Sequence, residues 1–112
     1  MNIRMANEAD FSQWLLLWKG YQVFYKADIA DSTTETTWSR FQDVAEPMHC
    51  AVAEVEGRLI GMVHYIQHRS CWTTGDYVYF YSINKSLSLY RINYLIVGIC
   101  ILFSLVHYLD ND

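Results

Sequence analysis

The sequence has few charged residues and no excess of basic ones. Lysine and arginine number 8 against 12 aspartates and glutamates, which gives a net charge of −4 over 112 residues. A general nucleic-acid-binding surface is basic, so this balance argues against a nucleic-acid partner and suits a cationic small molecule, such as an amine, better. Apolar residues make up 53% of the chain, which excludes disorder by composition. The length allows one small domain.

Several motifs of well-defined chemistry are also missing. The chain contains no Walker phosphate loop, no GxGxxG and no HExxH. Its cysteines, Cys50, Cys71 and Cys100, are odd in number and form no CxxC pair, which is typical of reduced thiols in a cytosolic protein. The opening residues, MNIRMANEAD, lack the apolar segment of a secretory signal. We therefore predict a cytoplasmic protein, and the C-terminal residues leave membrane association open.

The first half of the chain predicts a short strand and two helices. After a strand at Ile3 to Met5, Asp10 is the predicted N-cap of a helix that runs to about Tyr25. Gln13, at the third helical position, is the predicted partner of Asp10 in a capping box. Its apolar face recurs at helical spacing: Phe11, Trp14, Leu15, Trp18 and Tyr25.

A second helix is predicted after the polar segment ADIADSTTET. Thr33 or Thr34 is the predicted N-cap, and Pro47 is expected to end the helix. Its apolar face comprises Trp38, Phe41 and Val44.

The segment HCAVAEVEGRLIGMVHYIQHR predicts two strands joined at Glu56 and Gly57, because glycine adopts the positive φ that a tight hairpin turn needs. A loop, SCWTTGD, and another strand, YVYFYSI, follow. The order β-α-α-β-β-β predicts an α+β fold with a mostly antiparallel sheet.

The histidines and cysteines give weak signals for chemistry. His64 and His68 lie four residues apart on one strand, about 13 Å along it, so they cannot chelate one ion together. No cysteine or carboxylate spacing completes a ligand set, and we predict structural or surface histidines and no metal site. Cys71 near His68 lacks the sequence context of a nucleophile. The acidic loop residues Asp28 and Asp31, with Glu35, would attract a cationic substrate, but the pattern is more typical of a solvated loop.

Two segments, IRMANEADF and HCAVAEVEGRLIGMVHYIQHRSCWTTGDYVY, resemble the N-terminal half of a GNAT N-acetyltransferase. Arg4, Ala6 and Asp10 match the R-x-A-x-x-x-D start of the family's first helix, and Gly61 stands where the family has a strand glycine. The aromatic loop with Trp72 is most similar to the diamine and small-amine branch. The resemblance covers about residues 2 to 79.

The resemblance implies an activity, which is acetyl transfer from acetyl-CoA to a small primary amine by direct attack. The family's fourth strand presents backbone groups to the pantetheine arm and in many members carries an acidic residue. A glycine-rich turn, Q/R-x-x-G-x-G/A, then binds the CoA pyrophosphate. Tyr25, Trp72 and Tyr79 are the residues expected to line the amine side.

The sequence departs from the family where the cofactor half should begin. Tyr81 and Ser82 stand where an acidic pair is expected, no glycine-rich turn follows, and Tyr108 does not match the family's distal tyrosine. We therefore predict a truncated N-acetyltransferase-like domain over residues 1–83. Such a chain should be inactive or nearly so by itself, and acetyl-CoA binding is doubtful.

Residues 84–112 are predicted to form an apolar tail. Leu87 to Leu109 suggests a helix that is apolar on every side. Three interpretations remain open for it, namely a transmembrane helix, a helix packed on the sheet, and a foreign segment after a frameshift. A membrane-spanning helix needs about 20 apolar residues. The frameshift interpretation rests on composition, since Phe, Tyr, Asn, Lys and Ile supply 16 of residues 78–112 but only 15 of residues 1–77. The alternative function is a small tail-anchored membrane or partner-binding protein.

Overall fold

The computed structural model describes the backbone of residues 1–85 and the side chains as far as Tyr81. The helices and strands follow the predicted order, with one short 3-10 helix added at Glu8–Asp10. They are β1 (Asn2–Met5), α1 (Phe11–Phe24), α2 (Asp31–Gln42), β2 (Met48–Val55), β3 (Arg58–His68) and β4 (Tyr77–Lys85). The helix predicted over residues 87–109 lies outside the described residues.

The four strands form one sheet in the order β1-β2-β3-β4, and each neighbouring pair is antiparallel. The predicted hairpin between β2 and β3 is confirmed. Glu56 and Gly57 both have positive φ, 50° and 78°, as a two-residue type I′ turn requires. The predicted α+β fold with an antiparallel sheet is therefore confirmed for this part of the chain.

Substituting Gly57 with alanine tests the hairpin turn. We expect Gly57→Ala to lower the free energy of unfolding by about 1–2 kcal/mol, because a Cβ is disfavoured at left-handed φ. No heavy atom lies within 4 Å of the added Cβ, so the cost comes from the backbone alone. Urea unfolding measures it. Gly75→Ala is the matched control, since the nearest atom there is 4.0 Å away and φ is not left-handed. Equal losses in both variants would contradict the explanation.

Both helices pack on the same face of the sheet. The buried residues of this first core come from α1, β2 and β3: Trp14, Leu17, Trp18, Cys50, Val52, Leu59 and Met62. Trp38 and Phe41 of α2 pack against them. The predicted apolar face of α1 is therefore right at Trp14 and Trp18. It omitted Leu17, and it wrongly included Tyr25, which is 62% exposed.

The opposite face of the sheet carries a second buried apolar cluster. Its fully buried members are Ala51, Ala53, Ile60, Val63 and Tyr65. Strand residues pack around its edge: Ile3, Met5, Val55 and Val78. Neither α1 nor α2 contributes a residue to this cluster.

Asp10 lies immediately before α1, as predicted for its N-cap, but its side chain makes no cap hydrogen bond to that helix. Asn7 caps the 3-10 helix, and its Oδ1 accepts a hydrogen bond from the Ala9 N–H at 3.0 Å. Asp10 answers it by accepting from the Asn7 N–H at 2.8 Å. The Gln13 side chain instead reaches the hairpin, where it donates to the Gly57 carbonyl and accepts from the Leu59 N–H.

The predicted boundaries of α2 are also corrected. The helix begins at Asp31 with no side-chain cap, and Thr34 lies inside it, buried, with its Oγ1 accepting from Trp18 Nε1 at 3.3 Å. The helix ends at Gln42, well before Pro47, so Val44 is fully exposed and contributes nothing to the apolar face.

No helix within residues 1–85 is long and apolar enough to cross a membrane. The predicted transmembrane helix, and with it the tail-anchored alternative, falls on residues 87–109 outside the described part of the chain.

Candidate functional site

The fourth strand contains a bulge that faces α1. His64 pairs with Ser82 and Tyr65 with Phe80, so Tyr81 has no register partner on β3. A bulge leaves the peptide groups of the extra residue outside the ladder of hydrogen bonds. The Tyr21 hydroxyl of α1 donates to the Tyr81 carbonyl at 3.4 Å, a long hydrogen bond that places the bulge beside this helix.

Four tyrosines surround this bulge, and we call Tyr21, Tyr25, Tyr79 and Tyr81 the tyrosine surface. The ring centroids of Tyr21 and Tyr25 are 4.7 Å apart, and those of Tyr79 and Tyr81 are 6.3 Å apart. Tyr25, Tyr79 and Tyr81 are each more than half exposed. Aromatic faces attract cations and tyrosine hydroxyls accept hydrogen bonds, so this surface has the chemistry to hold an ammonium group.

Two of the three residues predicted for the amine side belong to the tyrosine surface. Tyr25 ends α1 and Tyr79 lies on β4, and the contacts through Tyr21 and Tyr81 connect them. Trp72 is not part of these contacts. It lies in the loop between β3 and β4 and is 89% exposed. Ser70 shapes this loop, since its Oγ accepts hydrogen bonds from the Trp72 N–H at 3.0 Å and the Thr73 N–H at 3.1 Å.

Sequence reasoning missed Tyr21 and Tyr81 as members of the tyrosine surface, and it missed the buried Gln22. The spacing of four between Tyr21 and Tyr25 on one helix face was a usable signal. Gln22 carried no such signal, yet it shapes the loop after α1. The backbone carbonyl of Gln22 accepts a hydrogen bond from the Ala27 N–H at 2.8 Å, and its side-chain Oε1 accepts one from the Ile29 N–H at 3.1 Å.

The acidic residues between the helices do not gather around the tyrosine surface as one group. Asp31 pairs with Lys19 at 3.3 Å, and its side chain is 91% exposed. Glu35 lines a shallow polar groove along α2 together with Arg40. Asp28 is exposed in the loop. These environments favour a solvated acidic loop over a dedicated cation site.

The three histidines of the described region lie in separate surroundings. His64 is buried, its Nε2 accepts from Trp14 Nε1 at 2.9 Å, and burial lowers its pKa to about 3. His49 stacks on Tyr65, and burial lowers its pKa, against a side-chain hydrogen bond to Gln67 that raises it. His68 is exposed and its ring contacts Tyr79 edge-on. Within residues 1–85, no three His, Cys, Asp or Glu side chains are arranged to hold a metal ion.

The two cysteines of the described region differ in environment. Cys50 is 2% exposed among the residues beneath the helices, and burial raises the pKa of its thiol. Cys71 is exposed in the loop beside Trp72. Because a buried thiol with a raised pKa is a poor nucleophile, Cys50 has a packing role.

Comparison with known proteins gives an N-acetyltransferase as a relative. The D-amino-acid N-acetyltransferase HPA3 of Saccharomyces cerevisiae is 33% identical over 79 residues, which is 69% of this chain and 49% of that protein. The chain thus spans about half the length of the curated relative. The chain is a relative of the GNAT N-acetyltransferases. No protein-family model matches it.

Solved structures share the GNAT fold at low sequence identity. A possible acetyltransferase from Clostridium difficile 630 superposes with a TM-score of 0.73 at 15% identity, covering 98% of this chain and 68% of its own. A GNAT family acetyltransferase from Staphylococcus aureus gives 0.72 at 12% identity, covering 96% and 76%. An aminoglycoside acetyltransferase from an uncultured soil metagenomic sample gives 0.71 at 14%, covering 96% and 68%. The resemblance to the N-terminal half of a GNAT protein is therefore confirmed.

The GNAT motif at the start of the chain has a clear structural role. Arg4 of β1 donates to both carboxylate oxygens of Asp10, at 2.6 and 2.8 Å, and also to Glu54 of β2. The R-x-A-x-x-x-D spacing thus ties the first strand to the start of α1 and to the neighbouring strand.

Proposed function

We propose that this chain supplies the amine-binding side of an N-acetyltransferase that transfers an acetyl group from acetyl-CoA to a small primary amine. The observation that carries the proposal is the bulge at Tyr81, whose peptide groups are out of register with β3 beside the exposed tyrosine surface. The similarity to a D-amino-acid N-acetyltransferase supports it.

The described residues would contact the amine through side chains and acetyl-CoA through peptide groups. The peptide groups at the Tyr81 bulge would hold the pantetheine arm, since they lie outside the ladder of the sheet. Acetyl-CoA supplies a thioester carbonyl, which the amine nitrogen attacks as the CoA thiolate leaves and the nitrogen loses a proton. Tyr25 and Tyr79 would orient the amine, and Trp72 would contact it from the loop between β3 and β4.

We further propose that the 112-residue chain has little activity by itself. Tyr81 and Ser82 occupy the positions where the family resemblance leads us to expect a proton-accepting carboxylate. The 112-residue sequence contains no glycine-rich turn to bind the pyrophosphate. Residues 1–83 would then form the amine-binding domain, and residues 84–112 a separate apolar segment.

Binding and turnover measured on the same protein test this proposal. We expect calorimetry with a diamine or a D-amino acid to show binding, and an acetyl-CoA assay to show turnover far below the about 1–1000 per second of ordinary enzymes. Tyr25→Ala and Tyr79→Ala should each weaken amine binding about tenfold, and Trp72→Ala should weaken it less because that side chain is detached from the tyrosine surface. Tyr77→Ala, on the same strand, is the matched control and should leave binding unchanged.

Two outcomes would contradict different parts of the proposal. Turnover at an ordinary enzymatic rate would contradict the low activity and leave the amine site intact. Binding that is absent, or that is equally weakened by Tyr77→Ala and Tyr79→Ala, would contradict the amine site itself.

A further inference from the structure

Two tyrosine rings on β4 have no stacking partner. Tyr79 and Tyr81 are 56% and 55% exposed. Their ring centroids are 6.3 Å apart with the planes tilted by 48°, and the ring of His68 meets Tyr79 nearly at right angles. In the part of the chain whose side chains the structure describes, no ring stacks parallel to either tyrosine. We call Tyr79 and Tyr81 the aromatic wedge, because the two tilted rings are both open to solvent.

The side of the aromatic wedge next to α1 is held in place. Tyr21 stacks on the buried Trp18, with the ring centroids 5.4 Å apart and the planes 11° apart. Its hydroxyl donates to the Tyr81 carbonyl, which ties the helix to the aromatic wedge. A surface that is fixed before a ligand arrives loses little conformational entropy on binding. Fixed aromatic faces therefore suit a rigid, flat group better than a flexible chain.

The charges around the tyrosine surface do not suit a second ammonium group. Just before β4, Asp76 is 4.0 Å from Arg69, so this end carries a cation beside its carboxylate. Asp31 pairs with Lys19. Asp28 is exposed, and among the described residues no hydrogen bond or ring contact joins it to a tyrosine. A diamine would therefore place its second charge where no carboxylate of the described residues is positioned to receive it.

We propose that the amine bound at this site carries an aromatic group, which lies on the aromatic wedge while the nitrogen faces the Tyr81 bulge. The inference rests on the proposed function and names the class of amine. Aromatic rings attract each other beyond the effect of the apolar area they bury, because the edge of a ring is positive and its face is negative. For one pair of rings this attraction corresponds to about a twofold to tenfold gain in affinity.

Three amines test the inference on the full 112-residue chain. Phenethylamine carries a phenyl ring, cyclohexylethylamine carries a saturated ring of similar size, and putrescine carries a second ammonium group. In calorimetry, phenethylamine should bind at least about threefold more tightly than cyclohexylethylamine, because only the phenyl ring has a π face and a positive edge. It should bind at least about tenfold more tightly than putrescine, whose second charge loses hydration without gaining a partner.

Variants of the aromatic wedge separate ring recognition from simple apolar contact. Tyr79→Leu and Tyr81→Leu each keep an apolar side chain and remove a ring. Each should reduce the preference for phenethylamine over cyclohexylethylamine at least about twofold, whatever happens to the affinity for amines in general. Tyr77→Leu, on the same strand but outside the tyrosine surface, is the matched control and should keep the preference. Circular dichroism of each variant confirms that it is folded before the titrations.

The failure of this inference differs from the failure of the proposed function. Putrescine binding as tightly as phenethylamine would overturn the inference and leave the amine site intact. So would equal affinity for phenethylamine and cyclohexylethylamine, a preference that Tyr79→Leu and Tyr81→Leu both retain, or one that Tyr77→Leu loses to the same extent. If none of the three amines bound, the amine site itself would be contradicted, and the inference with it.

Discussion

Replacing His64 with glutamine is expected to remove most of the pH dependence of stability between pH 6.5 and 4.5. His64 is neutral in the folded protein because burial lowers its pKa to about 3, and unfolding restores a pKa near 6.5. Below pH 6.5 the unfolded chain therefore binds a proton that the folded chain does not. The free energy of unfolding should fall by up to about 1.4 kcal/mol per pH unit, or roughly 3 kcal/mol by pH 4.5.

The direction of this effect follows from the sign of the pKa shift. Above pH 6.5 His64 is neutral in both states, so its contribution does not change with pH. The contribution is lost as the pH falls from 6.5 toward the folded pKa near 3. Keeping the measurement above pH 4.5 separates it from the carboxylates, because Asp10 has a pKa lowered from 3.8 by its hydrogen bonds to Arg4.

The surroundings of His64 explain why it stays neutral. Its ring lies among Trp14, Trp18 and Phe41, at centroid distances of 5.9, 5.0 and 4.6 Å. Its Nε2 must be unprotonated to accept from Trp14 Nε1, so a proton there would break that hydrogen bond. Glutamine keeps an acceptor oxygen for Trp14 and does not titrate.

Urea unfolding at a series of pH values measures the slope for the wild type and for His64→Gln. His68→Gln is the matched control on the same strand, and it should keep the wild-type slope because that side chain is exposed. A wild-type slope in His64→Gln would show that another group is responsible. At pH 7 we also expect His64→Gln to be less stable by about 1–2 kcal/mol, because a flexible amide of different shape, with a buried NH2 donor group, replaces the ring in a close-packed cluster.

Replacing Arg4 with methionine is expected to lower the free energy of unfolding by about 2–3 kcal/mol at pH 7. The variant leaves the carboxylate of Asp10, which is only 7% exposed, without the two hydrogen bonds that Arg4 donates. Breaking a fully buried ion pair costs about 3–5 kcal/mol, and the cost here is smaller because Arg4 and Glu54 are about one-quarter exposed.

The loss caused by Arg4→Met should shrink as the pH falls below about 4. Arg4 lowers the pKa of Asp10 against its burial, so this part of the stability is present above pH 3.8 and is lost as the pH falls through the lower, folded value. Adding Asp10→Asn to Arg4→Met should recover part of the stability at pH 7, because no unpaired charge is then buried.

Lys19→Met is the matched control for this prediction. The Lys19–Asp31 pair is 3.3 Å long and exposed, so its loss should cost no more than about 0.5 kcal/mol. Thermal and urea unfolding compare the variants. Similar losses in Arg4→Met and Lys19→Met would show that the R-x-A-x-x-x-D motif does not stabilise the fold through its ion pairs.

The elements that could be predicted were those set by local pattern. The helical spacing of Trp14 and Trp18 located α1, and Glu56 with Gly57 located the hairpin, since each signal acts within a few residues. The wrong predictions concerned polar side chains with more than one available partner. Asp10, Gln13 and Thr34 are all plausible caps or cap partners by sequence, but Arg4, the hairpin and Trp18 bind them instead.

The proposed amine site lies beside a feature that the sequence did not predict. Tyr25 and Tyr79 could be named from the family resemblance, but the bulge at Tyr81 that lies beside them left no mark in the sequence. A bulge depends on how two strands pair. The alternating, β-branched and aromatic residues of β3 and β4 are equally compatible with a regular ladder, so their composition does not predict the bulge.

The sequence by itself determined the order of the elements, the antiparallel sheet and the relationship to the GNAT proteins, because periodicity, turn residues and motif spacing are local properties. Only the tertiary structure decided which polar groups are buried and paired. Arg4 meets Glu54, and Trp14 meets His64, each across 50 residues of chain. The free energy of a buried charge or ring nitrogen depends on its hydrogen-bond partners. Here those partners are far apart in the sequence, so no local pattern specifies them.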